Sequence, residues 1–269
     1  KKTPNSPILK NCFNAFWVGG LICSIGQIIF EFCKYKGLEE TACSTVVSII
    51  LIGISAILTG LNISVSGGEM QLVGIDGYRL AIRKQKANID RELSFTVSAR
   101  AIGEVIKLID EQTENIDINV GERLISFNVE GYLFISRLLE GEFVNYKKTI
   151  PPSFTQKVTV NTRDLINTIE RVSLLISESF TTPVRCYFNE LNVIFTCATS
   201  QGRATETFNT KLEGENFEIG LNNHYLLDAL KAIEDENINI LFNGSNAGVL
   251  ITPTSGDSFK YMIMPMRLK

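Results

Sequence analysis

Residue types that usually carry catalysis are scarce in this chain. His224 is its one histidine, and it has no companion cysteine or paired carboxylate to complete a metal site. Cys12, Cys23, Cys33, Cys43, Cys186 and Cys197 form no CxxC and no paired spacing, and read as small buried hydrophobes in a reducing cytosol. There is no nucleophile elbow, P-loop or Gly-rich dinucleotide motif. Asp110-Glu111 and Glu234-Asp235-Glu236 read as solvated helix ends rather than acid/base pairs. The expectation is a protein without catalytic residues, metal or cofactor, whose chemistry is binding. The closing segment Tyr261-Met262-Ile263-Met264-Pro265-Met266-Arg267-Leu268-Lys269 supports that. It is apolar where a chain end is ordinarily polar and frayed, so it is expected to be packed or presented to a partner. A net charge of −3 and a pI of about 5.4 argue against gripping phosphates through a global field. Any nucleic-acid contact must use locally placed Lys and Arg.

The elements that would position such residues follow from periodicity. With 269 residues, 45% of them hydrophobic and 20% charged, the chain is a packed protein long enough for two domains. Gly68–Ile75 alternates as a strand, and Ser66-Gly67-Gly68 and Asp76-Gly77 read as turns. Apolar spacing predicts helices over Ala99–Glu111, Thr162–Leu175 and Asn222–Ile233. A repeat runs through this part. Ser94-Phe95-Thr96-Val97, a helix and Glu114-Asn115-Ile116-Asp117-Ile118 return about 122 residues on as Asn216-Phe217-Glu218-Ile219, a helix and Glu236-Asn237-Ile238-Asn239-Ile240. Tyr132–Ile135 parallels Tyr261–Met264 at a slightly longer offset.

The first part of the chain has another character. Two uncharged apolar stretches, Asn11–Phe30 and Thr41 to beyond Leu61, flank a polar link, and together predict a two-helix transmembrane-like hairpin. Gly19, Gly20, Gly26 and Gly53 would allow close helix contact, and Lys1, Lys2 and Lys10 favour a cytoplasmic amino terminus. Membrane insertion would involve residues 11–63.

Two resemblances organise these observations. Pro7–Cys12 with Ala15–Gln27, notably Val18-Gly19-Gly20-Leu21-Ile22-Cys23 and Ile25-Gly26-Gln27, resembles the stage V sporulation protein AC family, membrane proteins of the spore dipicolinate channel. From about residue 60 to 269 the chain resembles the bacterial DNA polymerase III beta subunit, the sliding clamp. The residues that carry this are Val73-Gly74-Ile75-Asp76-Gly77-Tyr78-Arg79-Leu80-Ala81, Leu139–Phe143 with Asn145–Lys148 and Ile150-Pro151, Gly220–Leu230, and the tail. The implied fold is α+β, with helices packed on antiparallel sheets. The implied layout is a hairpin (1–60), a truncated clamp middle domain (61–152) and a clamp carboxyl-terminal domain (153–269). The chain reads as a chimera joined near Ile57-Leu58-Thr59-Gly60-Leu61, lacking the clamp's first domain and the opening strand and helix of its second.

What the clamp resemblance implies is a non-catalytic processivity factor that encircles double-stranded DNA without sequence preference. Its partners would be the DNA polymerase III alpha subunit, the clamp loader and repair proteins. The implied partner-peptide pocket comprises Ile75, Gly77, Tyr78, Arg79 and Leu80 with Met264, Pro265, Met266, Arg267 and Leu268, flanked by Pro151, Asn222, Tyr225 and Gly248. Ile75 stands where Thr or Val is usual. Met and Leu would give an adaptable apolar surface, Gly77 a tight turn, and Arg79 and Arg267 donors to a peptide carbonyl or carboxylate. Arg100, Lys107, Arg163, Arg171 and Lys231 are the implied DNA-facing residues. The family forms a homodimeric ring; without a first domain this chain is expected not to close one. The clamp part would be cytoplasmic, anchored to a membrane if the hairpin inserts. The alternative function is a membrane component of the dipicolinate channel.

Overall fold

Seven strands and a helix form the first module of the computed structural model. β1 (Gly60–Ser66), β2 (Glu69–Ile75) and β3 (Arg79–Lys86) run as an antiparallel meander, and β4 (Leu93–Ser98) pairs back on β1. Ser98 ends β4 and caps α1 (Ala99–Lys107), its hydroxyl accepting the Ala101 amide at 3.2 Å. β5 (Ile116–Val120), β6 (Leu124–Val129) and β7 (Tyr132–Arg137) complete the module as a separate three-stranded sheet. Alternation puts Ile125, Phe127 and Val129 inward, where they meet Ile63, Val97 and the Ala101 and Val105 side chains of α1.

After a linker with one 3-10 turn at Tyr146–Lys148, the second module repeats the plan. It comprises β8 (Gln156–Asn161), α2 (Thr162–Ser173), β9 (Val184–Phe188), β10 (Asn192–Thr199), β11 (Gly202–Asn209), β12 (Leu212–Glu213), β13 (Phe217–Leu221), α3 (Asn223–Lys231), β14 (Asn237–Phe242), β15 (Val249–Pro253) and β16 (Phe259–Ile263). Its core is larger because α2 and α3 both pack on it. Phe188 stacks on Phe217 at 4.8 Å and 7°, with Phe242 tilted against both.

The modules share a sheet. β16 pairs antiparallel with β3, Tyr261 opposite Ala81 and Met262 opposite Leu80, giving nine strands in the order β12-β8-β14-β15-β16-β3-β2-β1-β4. A second sheet is ordered β11-β10-β9-β13. Thr59–Lys269 is one compact unit. The structure describes residues 60–269 except 88, 90, 110–112, 114, 176–181 and 269, so up to Thr59 the hairpin and membrane readings lie outside the described residues. Gly60–Ile63, the end of the stretch read as membrane-inserting, belong instead to strand β1, where pairing with β2 and β4 satisfies their backbone. Among the described residues no helix is long and apolar enough to cross a membrane.

Three expectations need correction. α1 stops at Lys107, because the Leu108 and Ile109 amides turn back to the Val105 and Ile106 carbonyls and tighten the last turn. α3 begins at Asn223 rather than Asn222, whose side chain is spent as the cap. The repeat also aligns differently in its last strand. Ile118 faces Phe127, which faces Phe134; Ile240 faces Ile251, which faces Tyr261. Phe134, not Tyr132, therefore stands where Tyr261 stands, because strand pairing and not letter identity sets the register.

Candidate functional site

The turn from β2 to β3 is held by a side chain. Asp76 Oδ1 accepts the Tyr78 and Arg79 amides, both at 2.8 Å. Gly77 is not in the left-handed region, and an added Cβ there would meet nothing within 4 Å. The tight turn expected of Gly77 is thus the work of Asp76. Tyr78 is 62% exposed and stacks on Tyr225 of α3, ring centroids 6.3 Å apart.

Arg79 binds the turn to the second module. Its Nε donates to Asp76 Oδ2 at 2.9 Å, one terminal nitrogen donates to Asp228 Oδ2 at 2.8 Å, and the guanidinium lies 4.6 Å from the Tyr225 ring centroid. Burial works against its charge, but hydrogen bonds and attraction from Asp76 and Asp228 outweigh this and hold its pKa above the ordinary value. Two of the Arg79 nitrogens expected to meet a peptide carbonyl or carboxylate are thus engaged within the protein.

The tail lies beside this turn. The Met264 amide donates to the Tyr78 carbonyl and the Met266 amide to the Gly220 carbonyl, both at 2.8 Å. Gly220 permits that approach: a Cβ there would come 2.7 Å from Leu268 Cδ2 and 2.9 Å from the Met266 oxygen. Gly248 sits likewise beneath the Met262 and Met264 sulfurs, where a Cβ would fall 3.1 and 3.3 Å away. Ile75, Gly77, Tyr78, Arg79, Leu80, Tyr225, Gly248, Met264, Pro265 and Met266 are therefore gathered around one seam. Arg267 is exposed, and Leu268 packs on Gly220. Asn222 is buried, its Oδ1 accepting the His224 and Tyr225 amides at 2.9 and 3.2 Å, so it positions α3. Pro151 is half-buried in the linker, whose contacts to the seam come from its neighbours Ile150 and Phe154.

Alternation gives the seam two faces. On one, Val73, Leu80, Ile82, Leu250 and Met262 form an apolar cluster, partly covered by Phe143, Tyr146, Ile150 and Phe154. On the other, a cleft of about 630 Å³ is lined by Arg79, Tyr225 and Asp228, with Ile102 and Ile106 from α1, Ala229 from α3 and Ala232 just after its end. Sequence reasoning missed Met262, Phe143, Tyr146, Ile102 and Ile106 as lining residues. The strand pattern of β16 was the signal available for Met262 and the amphipathic spacing of α1 that for Ile102 and Ile106, whereas Phe143 and Tyr146 lie in the linker, where no period applies.

Of the five basic candidates, three are already paired. Lys107 meets Glu104 at 3.0 Å, Arg171 meets Glu206 at 3.1 Å and Lys231 meets Glu170 at 2.6 Å. Arg100 and Arg163 are exposed and make no ion pair among the described residues. No cluster of metal-ligating side chains occurs among the described residues. Burial, with a smaller contribution from Glu218, pushes the Cys186 thiol far above its ordinary pKa, so it is inert as a thiolate.

Comparison with known proteins adds a lineage to this geometry. Residues 147–267 match the family model of the C-terminal domain of the DNA polymerase III beta subunit. Residues 34–145 match that of the central domain of the same protein, a match that begins within the stretch read as a hairpin. The beta sliding clamp of Bacillus subtilis is 31% identical over 216 residues, covering 78% of this chain and 57% of the relative. The crystal structure of the Bacillus subtilis sliding clamp superposes with a TM-score of 0.74 at 30% identity, over 79% of this chain and 57% of that one. A Pseudomonas aeruginosa sliding clamp bound to griselimycin gives 0.71 at 28% identity, over 80% and 59%. The chain thus spans little more than half the length of the relatives it matches.

Proposed function

The chain belongs to the DNA polymerase III beta subunit family, and from that premise we propose that it is the partner-recruiting part of a sliding clamp, a non-catalytic processivity factor of DNA replication. Its task is to hold short peptide segments of the polymerase III alpha subunit, the clamp loader and repair proteins at the seam between its modules, while basic helix residues face duplex DNA. The observation that carries this reading is the tail strand laid on the turn, with the Met264 amide on the Tyr78 carbonyl. That pairing leaves Tyr78 and Met264 exposed beside an apolar cluster of Leu80, Ile82, Leu250 and Met262. Flexible methionines next to an aromatic ring suit an apolar Leu or Phe anchor. The griselimycin-bound Pseudomonas relative has the same fold and is compatible with a ligand site on this scaffold.

The test is fluorescence anisotropy of a labelled peptide ending in Leu-Phe against the full chain. Met264→Glu introduces charge at an exposed position of the groove and is expected to weaken binding about tenfold, or about 1.4 kcal/mol. Binding unchanged by Met264→Glu, or absent from the unsubstituted chain, would overturn the reading.

A further inference from the structure

Three of the chain's four methionines fall within five residues of the tail, and all three, Met262, Met264 and Met266, lie at the seam. Two of their sulfurs share one seat. A Cβ on Gly248 would fall 3.1 Å from the Met262 sulfur and 3.3 Å from that of Met264. The two differ in their access to solvent. Met262 lies within β16, paired with β3, and is 3% exposed. Met264 stands just past the end of β16 and is 37% exposed. Met266 and the fourth methionine, Met70 on β2, are half-buried.

That contrast has a chemical consequence. A thioether has no proton to lose, so exposure governs how readily an oxidant reaches it. The described cysteines do not compete for oxidant. Cys186 and Cys197 are buried, and burial holds both thiols above their ordinary pKa, away from the reactive thiolate.

We infer that Met264 is a sulfoxidation site, through which peroxide weakens the hold of the groove on an apolar peptide anchor. The Met264 sulfur attacks one oxygen of hydrogen peroxide. The S–O bond forms as the O–O bond breaks, and the second oxygen leaves as water. Sulfur is oxidised by two electrons and the peroxide is reduced by two. The product is a polar, chiral sulfoxide where the groove had offered a flexible apolar side chain. A Leu or Phe anchor seated there must strip water from the new oxygen and has no side-chain donor to replace it. The change is reversible: a methionine sulfoxide reductase with a dithiol removes the oxygen as water and leaves a disulfide. Met262 is shielded throughout, so the strand pairing of β16 with β3 is kept while the surface beside it changes.

This inference rests on the reading of the seam as a peptide groove. The test takes the full chain through a time course in millimolar hydrogen peroxide. Peptide mapping by mass spectrometry is expected to show the added oxygen first at Met264 and last at Met262. Anisotropy with the labelled Leu-Phe peptide is expected to show affinity falling about tenfold as Met264 sulfoxide accumulates. Treatment with the two reductases that act on the two sulfoxide epimers is expected to restore it. In Met264→Leu, a volume-conserving change, affinity is expected to be indifferent to peroxide, whatever its starting value. The inference is overturned if another methionine is oxidised ahead of Met264, or if affinity holds once Met264 is fully converted. It is equally overturned if the Met264→Leu variant loses affinity in peroxide as the unsubstituted chain does, or if the reductases leave the loss in place. A chain that binds no peptide before oxidation defeats the reading of the seam and this inference with it, whereas the other outcomes leave that reading standing.

Discussion

Gly77 and Gly220 are one residue type in opposite situations. Gly77 occupies open space in a turn that Asp76 holds, whereas Gly220 is pressed by the Met266 oxygen and the Leu268 side chain. Gly77→Ala is expected to change stability by less than about 0.5 kcal/mol. Gly220→Ala must displace the tail and is expected to cost about 1–3 kcal/mol, as overpacking does. Urea denaturation midpoints of the two variants check this, and equal midpoints would show that the tail is not docked on Gly220. Sequence pointed to both glycines through the resemblance. It did not tell them apart, because the contacting atoms at Gly220 come from residues more than forty positions away.

The elements are bound across the seam by charge as well as by strand pairing. Lys84 on β3 reaches Asp257, in the loop before β16, at 2.5 Å, and Glu69 at 3.3 Å. Its hydrogen bond to Asp257 raises the Lys84 pKa above its ordinary value, while the same bond lowers that of Asp257 below 3.8. Asp257 is thus more acidic in the folded than in the unfolded chain. Its contribution is complete above about pH 4 and is lost as pH falls through the lowered value; that of Lys84 is complete below about pH 10 and is lost as pH rises through the raised value. Asp257→Asn is expected to lower the denaturation midpoint slightly at pH 7, and the gap to the unsubstituted chain should vanish near pH 2. A gap of constant size from pH 7 to pH 2 would remove this pair from the seam's stability. Both partners are partly solvated, so salt should narrow the gap too.

At the scale of the whole molecule, the net charge of −3 means that the duplex contact proposed above would rest on a few local cations. Lys107, Arg171 and Lys231 spend part of their charge on Glu104, Glu206 and Glu170. The combined change Arg100→Glu and Arg163→Glu is therefore expected to weaken non-specific duplex binding more than Lys107→Glu and Lys231→Glu. Affinity should be modest and fall as salt rises, with a log–log slope of about −2 if only two cations displace counterions. Anisotropy titrations at several salt concentrations measure both quantities, and equal losses for the two pairs would mean that ion pairing does not govern access to phosphate.

The sequence by itself determined the faces of the elements: the alternation of β2, the apolar stripes of α1, α2 and α3, the turn at Asp76, and the duplication that makes two modules of one plan. These are local patterns, set by the two-residue period of a strand and the 3.6-residue period of a helix, and they survive without tertiary context. Only the tertiary structure decided that β16 joins β3, that Arg79 reaches Asp228, and that Asn222 caps α3. It also moved the repeat's last strand into its true register. The reason is physical. A strand edge offers the same hydrogen-bonding groups whatever its side chains, so which remote edge it accepts depends on the burial and charge that accompany the pairing, and no local period records that choice.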